Sequence, residues 1–339
     1  MAGALTKTGT SGTTGQISVN LQGYYDRNLL ERALPALLYG KFGQVRPIPK
    51  NSGTRINFRR YESLAAATTA LTEGTTPAGS QLTVTDIYAT IQQYGDFVTL
   101  TDWLIETGLD PVLVEAGEIL GEQAGLTIDT LDRDVLVAGT NVRYANGVAD
   151  RASVVAAISA NDINQAIRTL EGADAKKIRQ MIDGTTKVGT RPIRPAYIGI
   201  THVDCRYDLE SLSGWIPVEE YASKGDVMEE EIGSYKGVRF LATSNAKVWQ
   251  DAGGTAGSMI STSGTNADVY CTLILAKDAY GVIPLNKKSI KNIIKQLGSA
   301  GTEDPLDQRA TSGWKAAHVC KILNDDFLIR IEHACTDLS

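Results

Sequence analysis

Apolar residues recur every three or four positions at Leu113, Ala116, Leu120, Ala124, Ile128, Leu131, Val135 and Ala138. That spacing keeps one stripe on one side of an α-helix. Glu115, Glu118, Glu122, Asp129 and Asp132 are expected on its other sides. Asp110 suits the N-cap, Pro111 suits the first helical position, and Gly139 is a natural stop. The pattern predicts one helix of roughly 40 Å at 1.5 Å per residue. Gly117, Gly121 and Gly125 repeat at intervals of four inside it, each costing about 1 kcal/mol relative to Ala. Either that weakness is tolerated as curvature, or the glycines form a track for close backbone packing, within the chain or across a subunit boundary.

Ahead of the helix the sequence reads as extended. One strand is expected from Thr54 to Tyr61 and a long one from about Leu82 to Leu100, joined by a tip, Ser63 to Gln81, of small residues without Lys or Arg. Arg55, Asn57, Arg59, Arg60 and Gln92 interrupt any apolar face. A lone two-stranded ribbon is marginal in water, so this one is expected to project and lie on a neighbouring subunit. Three arginines on one short ribbon, with Glu73 in the tip, make Arg55, Arg59, Arg60 and Glu73 candidate contacts to a neighbour. These features favour an assembly protein over an enzyme.

The first sixteen residues are mostly Thr, Gly, Ser and Ala, a composition expected to be mobile until a neighbour pins it. Asn20 to Gly43 reads as a helix kinked at Pro35. Thr101 to Thr107 reads as a short helical turn. From about Val154 helices and strands alternate, with a boundary near Gly147. Asn161 is expected to cap a helix to Leu170, and Thr201 one to about Leu212. Strands are expected at Arg194 to Ile200, Val238 to Thr243 after the turn at Tyr235-Lys236-Gly237, Val269 to Ala276, and Val282 to Leu285. Asp251 to Asn266 reads as a surface loop. Ile290 to Leu297, Gly313 to Leu323 and Phe327 to Ala334 are expected to form a strand meander turning at Asn324-Asp325-Asp326.

With 339 residues the chain can bury a large core and hold two lobes. Its formal net charge of −6 argues against a nucleic-acid grip, because phosphate binding needs clustered Lys and Arg. Lys287, Lys288, Lys291 and Lys295 read as a solvated face. No basic-then-apolar leader opens the sequence, Met1 argues against removal of a long propeptide, and no apolar run is long enough to span a membrane. Four scattered cysteines, Cys205, Cys271, Cys320 and Cys335, suit a reduced, cytosolic chain.

Phosphate loops, nucleophile elbows, Cys-x-x-Cys pairs and His-Glu-x-x-His are absent from the sequence. Each histidine does sit near a cysteine: His202 with Cys205, His318 with Cys320, and His333 with Cys335. On strands the two i, i+2 pairs would each face one side, which makes a soft-metal site conceivable. Buried cysteines and satisfied core histidines are the plainer reading. His202, Asp204 and Cys205 suggest a cysteine hydrolase only weakly, because neighbours on one helix point apart. Glu229-Glu230-Glu231 reads as a solvated turn. No catalytic, cofactor or metal residues are assigned.

The order of arm, ribbon, long helix, α/β lobe and returning strands resembles the major capsid proteins of tailed bacteriophages (Caudoviricetes), with the Hong Kong 97-like fold shared by encapsulins and herpesvirus shells. Within that group it is most similar to the family typified by the coliphage N-four coat protein. The resemblance rests on Gly53-Thr-Arg-Ile-Asn-Phe-Arg-Arg-Tyr61, Leu71-Thr-Glu-Gly-Thr-Thr-Pro77, Tyr94-Gly-Asp-Phe-Val-Thr-Leu-Thr-Asp102 and Glu231-Ile-Gly-Ser-Tyr-Lys-Gly-Val-Arg-Phe240. Ser244-Asn-Ala246, Asp304-Pro-Leu-Asp-Gln-Arg309, Gly313-Trp-Lys315 and Lys321-Ile-Leu-Asn-Asp325 complete it.

The resemblance implies an α+β shell protein. Its parts would be an N-terminal arm and helix (1–52), an E-loop ribbon (53–101), a P-domain spine helix (102–147), an α/β A-domain (148–289) and P-domain return strands (290–339). It implies self-assembly into hexamers and pentamers of an icosahedral head around double-stranded DNA. Scaffolding, portal and decoration proteins would be its partners, without enzymatic activity or cofactors. The subunit would assemble in the host bacterial cytoplasm and end in the virion. Some members cross-link a loop lysine to a neighbour's asparagine, but the tip here has no lysine, so no such chainmail is expected. A nanocompartment shell and a cytosolic hydrolase remain as rival readings.

Overall fold

A computed structural model describes residues 5–8, 16–17, 37–48, 53–71, 73–76, 78–107, 112–183, 189–221, 227–283, 290–299 and 303–338. The helix expected over Asn20 to Gly43 falls mostly outside them, and its described end, from residue 37, is turn and bend. Asp110 and Pro111 also lie outside.

The largest sheet runs Ile216–Pro217, Glu231–Tyr235, Val238–Ala242, Gly189–Thr201, Val269–Leu275, Leu328–His333 and Val142–Tyr144, with Val248–Trp249 and Ile178–Asp183 attached beside it. At its centre every residue of Val269–Leu275 is buried. Successive side chains face opposite ways. Cys271, Leu273 and Leu275 therefore join a core with Leu136 and Val137, while Ile274 joins one with Ile163, Ala166 and Leu170 of the helix Ala160–Gly172. Helices thus cover both faces, which explains why these strands read as unbroken apolar runs.

A second sheet orders Ile290–Lys295, Arg309–His318, Gln92–Thr101, Leu5–Thr8 and Gln16–Ile17. Arg309–His318 and Gln92–Thr101 pair antiparallel over ten positions, and at Gly95 a Cβ would lie 2.6 Å from the Trp314 carbonyl. The described part of the N-terminal arm pairs parallel with its own chain, Leu5 opposite Thr99 and Thr6 opposite Leu100. Pinning by a neighbour is not needed for that piece.

The long helix forms as the apolar spacing predicts, over Val112–Val137. Its first half packs Ala116, Leu120 and Ala124 against Leu100, Trp314 and Ala316 of the second sheet, and its last turn enters the large core. One rigid element therefore ties the two sheets together. Arg330, on a central strand, donates to the carbonyls of Val137 and Gly139, satisfying helix-end acceptors with a cation where the helix dipole favours one.

Several expectations change. Asp129 and Asp132 are buried, not on an outer face. Asp129 accepts from the Tyr39 amide (2.8 Å) and the Asn245 side chain (2.8 Å), and Asp132 contacts His318 Nε2 at 2.6 Å. Ser159, not Asn161, caps the helix at Ala160, through a capping box with Asp162. Thr201 ends a strand and hydrogen-bonds Thr272, leaving His202 to cap the short turn that follows. The expected second ribbon strand is two strands, Val84–Thr90 and Gln92–Thr101, broken where Ile91 turns into a small core with Ile48, Ala89 and Ile283.

The C-terminal stretches are strands, but not one meander. Arg309–His318 pairs with Ile290–Lys295, Cys320–Ile322 joins Tyr280–Val282, and Leu328–His333 enters the large sheet. All six residues of Leu328–His333 are buried, which suits a central strand covered on both faces. Ile290–Lys295 has four of its six residues exposed and none buried, and it forms an edge.

Candidate assembly surface

The ribbon is built from Arg55–Tyr61 and Val84–Thr90, in register from Arg55 opposite Thr90 to Tyr61 opposite Val84. Neither strand pairs with any other described strand. At its root Ile56 and Phe58 pack on the small core around Ile48, Ala89 and Ile91. Beyond the root the ribbon is uncovered: Tyr61 is 60% exposed, Leu71 78% and Leu82 68%. A groove of about 420 Å³ lies between ribbon and body, lined by Arg46, Phe58, Arg60, Asp278, Leu323 and Phe327 among others.

The ribbon arginines have partners on their own chain. Arg59 Nε donates to Asp86 Oδ1 at 3.0 Å, directly across the register, which raises the arginine pKa. Arg60 donates to Glu62 at 3.3 Å, and Glu62 is held below the usual carboxylate range first by the Thr85 hydroxyl and then by Arg60. The Arg55 guanidinium lies 3.9 Å from the Tyr88 ring centroid. Glu73 is exposed at the tip. Charged partners for two of these arginines are thus supplied locally, by residues whose strand register could not be read from the sequence.

The glycine track divides. A Cβ at Gly125 would come 2.8 Å from Leu37 Cδ1, Gly117 meets only Ser312 Oγ at 3.8 Å, and Gly121 has nothing within 4 Å. Among the described residues, close packing inside the chain therefore accounts for Gly125 alone. Near the track Val114 and Ile119 are exposed, as is Trp103 on the short helix Asp102–Thr107.

Of the three His–Cys neighbours, two contribute to one cluster. Cys205, His333 and Cys335 are buried with their ligand atoms within 4.8 Å of one another. Burial alone would raise Cys205, yet the hydrogen bond from Cys335 and the nearby His333 bring it below the ordinary thiol value. Burial and the neighbouring Cys205 push Cys335 up. His202 instead accepts from the Asp204 amide, and His318 contacts Asp132. Glu229 and Glu230 form the exposed turn expected of them. Glu231, however, is buried in a two-pronged pair with Arg239 and also accepts from the Tyr221 hydroxyl at 2.9 Å. The loop after Trp249 is folded on two aspartates: Asp251 accepts from Ser263, and Asp268 from Thr262 and the Asp251 amide. Lys287 and Lys288 lie outside the described residues.

No family model matches the sequence. One curated relative, the major capsid protein of Pseudomonas phage KPP21, is 26% identical over 241 residues. The match takes in 66% of this chain and 60% of that protein's length. Solved structures align over nearly the whole chain. The head of Helicobacter pylori bacteriophage KHP40 gives a TM-score of 0.63 at 16% identity, over 93% of this chain and 95% of that one. The capsid of Ralstonia phage GP4 gives 0.63 at 13% identity, over 98% and 100%. The capsid of Cyanophage P-SCSP1u gives 0.62 at 14% identity, over 94% of each. The fold is the α+β fold of these phage capsid chains.

Proposed function

We propose that this chain is the major capsid protein of a tailed phage, a structural protein that assembles into hexamers and pentamers of an icosahedral head around double-stranded DNA. The observation that carries the reading is the uncovered ribbon. A two-stranded ribbon with Tyr61, Leu71 and Leu82 in water is a poor monomer feature, and a natural one for a subunit that lays it over a neighbour. Likeness to phage capsid chains over nearly the full length supports the same reading.

In this assignment residues 53–101 are the E-loop, and the helix Val112–Val137 is the spine of the peripheral domain. Residues 148–289 are the axial domain and 290–339 the return strands of the peripheral domain, although the large sheet crosses that division by taking in Val142–Tyr144 and Leu328–His333. A relation to the N-four coat protein family, and scaffolding, portal and decoration partners, belong to the same proposal. So do assembly in the host cytoplasm, a final place in the virion, and intersubunit roles for Arg55, Arg59, Arg60 and Glu73. A net charge of −6 suits a wall that encloses DNA without gripping it. Named likeness to a phage coat protein favours this reading over a nanocompartment shell. A hydrolase is not favoured, since Cys205 is fully buried beside Cys335 and His202 serves as a turn cap.

Sedimentation velocity of the purified chain, with nuclease-protected nucleic acid assayed in any fast fraction, tests the proposal. Large closed particles protecting double-stranded DNA in infected or reconstituted preparations are expected. A compact monomer at high concentration with scaffold supplied contradicts it, and particles enclosing protein cargo instead of DNA would favour a nanocompartment.

A further inference from the structure

The shell role makes no use of Cys205, His333 or Cys335, yet the fold brings all three together from distant positions. Cys205 closes the turn Val203–Cys205 after the strand Gly189–Thr201, and Cys335 follows the strand Leu328–His333. Those strands flank Val269–Leu275 in the large sheet, so the two cysteines meet across the end of the strand between them, over Tyr270. Their sulfurs are 2.9 Å apart, and both residues are free thiols.

His333 is oriented for a particular task. Its Nδ1 lies 2.8 Å from the Ala334 carbonyl, which can only accept, so Nδ1 carries the proton. Nε2 is then the basic nitrogen, 2.8 Å from Thr272 Oγ1, and the His333 side chain also interacts with Cys205. Thr272 Oγ1 is in turn 2.8 Å from Thr201 Oγ1, which fixes the ring from behind. Cys271 and Cys320 sit in the core on the other side of the sheet, where burial raises both thiols. A zinc ion is the other use for such donors, but two thiolates on one tetrahedral zinc stand about 3.7 Å apart at a Zn–S distance of about 2.3 Å. These sulfurs are already closer than that.

We propose that Cys205 and Cys335 are a peroxide-oxidisable pair that closes into an intrachain disulfide, with His333 as the base that readies Cys205. The Cys205 thiol passes its proton to His333 Nε2, and the thiolate attacks one oxygen of hydrogen peroxide. An S–O bond forms and the O–O bond breaks. The departing hydroxide takes the proton from His333 and leaves as water, with a sulfenic acid on Cys205. The Cys335 sulfur then attacks the Cys205 sulfur and displaces the oxygen, which leaves as a second water with the Cys335 proton. Two thiols and one peroxide become one disulfide and two waters. Peroxide enters when the segment after the last strand opens, which parts the isolated bridges Ala157 to Ala334 and Met259 to Thr336, the bond from the Ile260 amide to the Cys335 carbonyl, and the two bonds from Thr336 to Asp208. The bond would close a loop between positions 130 apart and lock the last strand into the sheet. The inference stands on the chain's own geometry, whether or not it forms a shell.

The test treats the purified full chain with hydrogen peroxide, alkylates it under denaturing conditions, and maps an unreduced digest by mass spectrometry. One linked peptide joining Cys205 to Cys335 is expected, with Cys271 and Cys320 alkylated and faster migration in a non-reducing gel. Cys335→Ser should leave a sulfenic acid on Cys205 that dimedone traps. His333→Gln should slow the closure by roughly tenfold or more while the far-ultraviolet circular dichroism is unchanged. Four alkylatable thiols surviving peroxide would overturn the proposal, as would oxidation of Cys271 or Cys320 first. Stoichiometric zinc that Cys205→Ser removes would overturn it in favour of a metal site, and an unchanged rate in His333→Gln would remove the histidine from it.

Discussion

Asp129 shows how a single buried side chain sets a pH dependence. Burial, opposed by hydrogen bonds from Asn245 and Tyr39, raises its pKa from 3.8 to about 6. The folded chain therefore holds the proton more tightly than the unfolded one. Its contribution is fully present below pH 3.8 and is lost as pH rises through about 6. A shift of that size is at most about 3 kcal/mol. Asp129→Asn should flatten the fall in melting temperature between pH 4 and 6 relative to the parent, and an unchanged slope would show the shift to be absent. Arg330→Met should destabilise the subunit by about 1–3 kcal/mol, because it leaves the carbonyls at the end of the long helix without their donor, while Glu332 keeps its two-pronged pair with Arg151; calorimetry reads the loss directly. Gly121→Ala separates the two readings of the glycine track. No described residue would meet a Cβ there, so the isolated subunit should gain up to about 1 kcal/mol. Unimpaired particles would then mean tolerated curvature, and impaired ones close packing by a neighbour. None of these roles was legible from residue identity: an Asp on a helix reads as solvated, and only the pairing of distant strands brings Tyr39, Asn245 and His318 to that helix.

Elements with a strong local period were the legible ones. The long helix, the ribbon's first strand, the hairpin at Lys236 and Gly237, and the buried strand Val269–Leu275 all carry their signal within a few residues. Partner choice does not, and so the C-terminal strands were expected side by side while the fold sends them to three sheets. The ribbon arginines illustrate the same limit, since Arg59 and Asp86 meet only because of the hairpin register. These pairs lie in solvent, where screening leaves them little net stabilisation. Arg59→Ala and Arg60→Ala should therefore barely move the melting temperature of the isolated subunit. If the arginines also touch a neighbour, particles carrying them should melt lower, and equal melting of parent and variant particles would confine both residues to the ribbon.

At the scale of the whole molecule, one helix links a sheet covered on both faces to a smaller sheet from whose side an uncovered ribbon springs. The body holds its own core, whereas beyond its root the ribbon is exposed in the single chain, and in the proposed shell another copy would cover it. Replacing residues 64–81 by a short Gly-Ser turn should leave subunit circular dichroism and melting nearly unchanged, because the tip is exposed throughout its described length. The same variant should fail to form particles by light scattering, and particles of normal yield would detach the ribbon from assembly. The most direct measurement is a cryo-electron-microscopy reconstruction of assembled particles. The account predicts the strands Arg55–Tyr61 and Val84–Thr90 lying across an adjacent subunit, with Tyr61, Leu71 and Leu82 buried between copies. Particles in which that ribbon stands in solvent, or folds back on its own subunit, would contradict it.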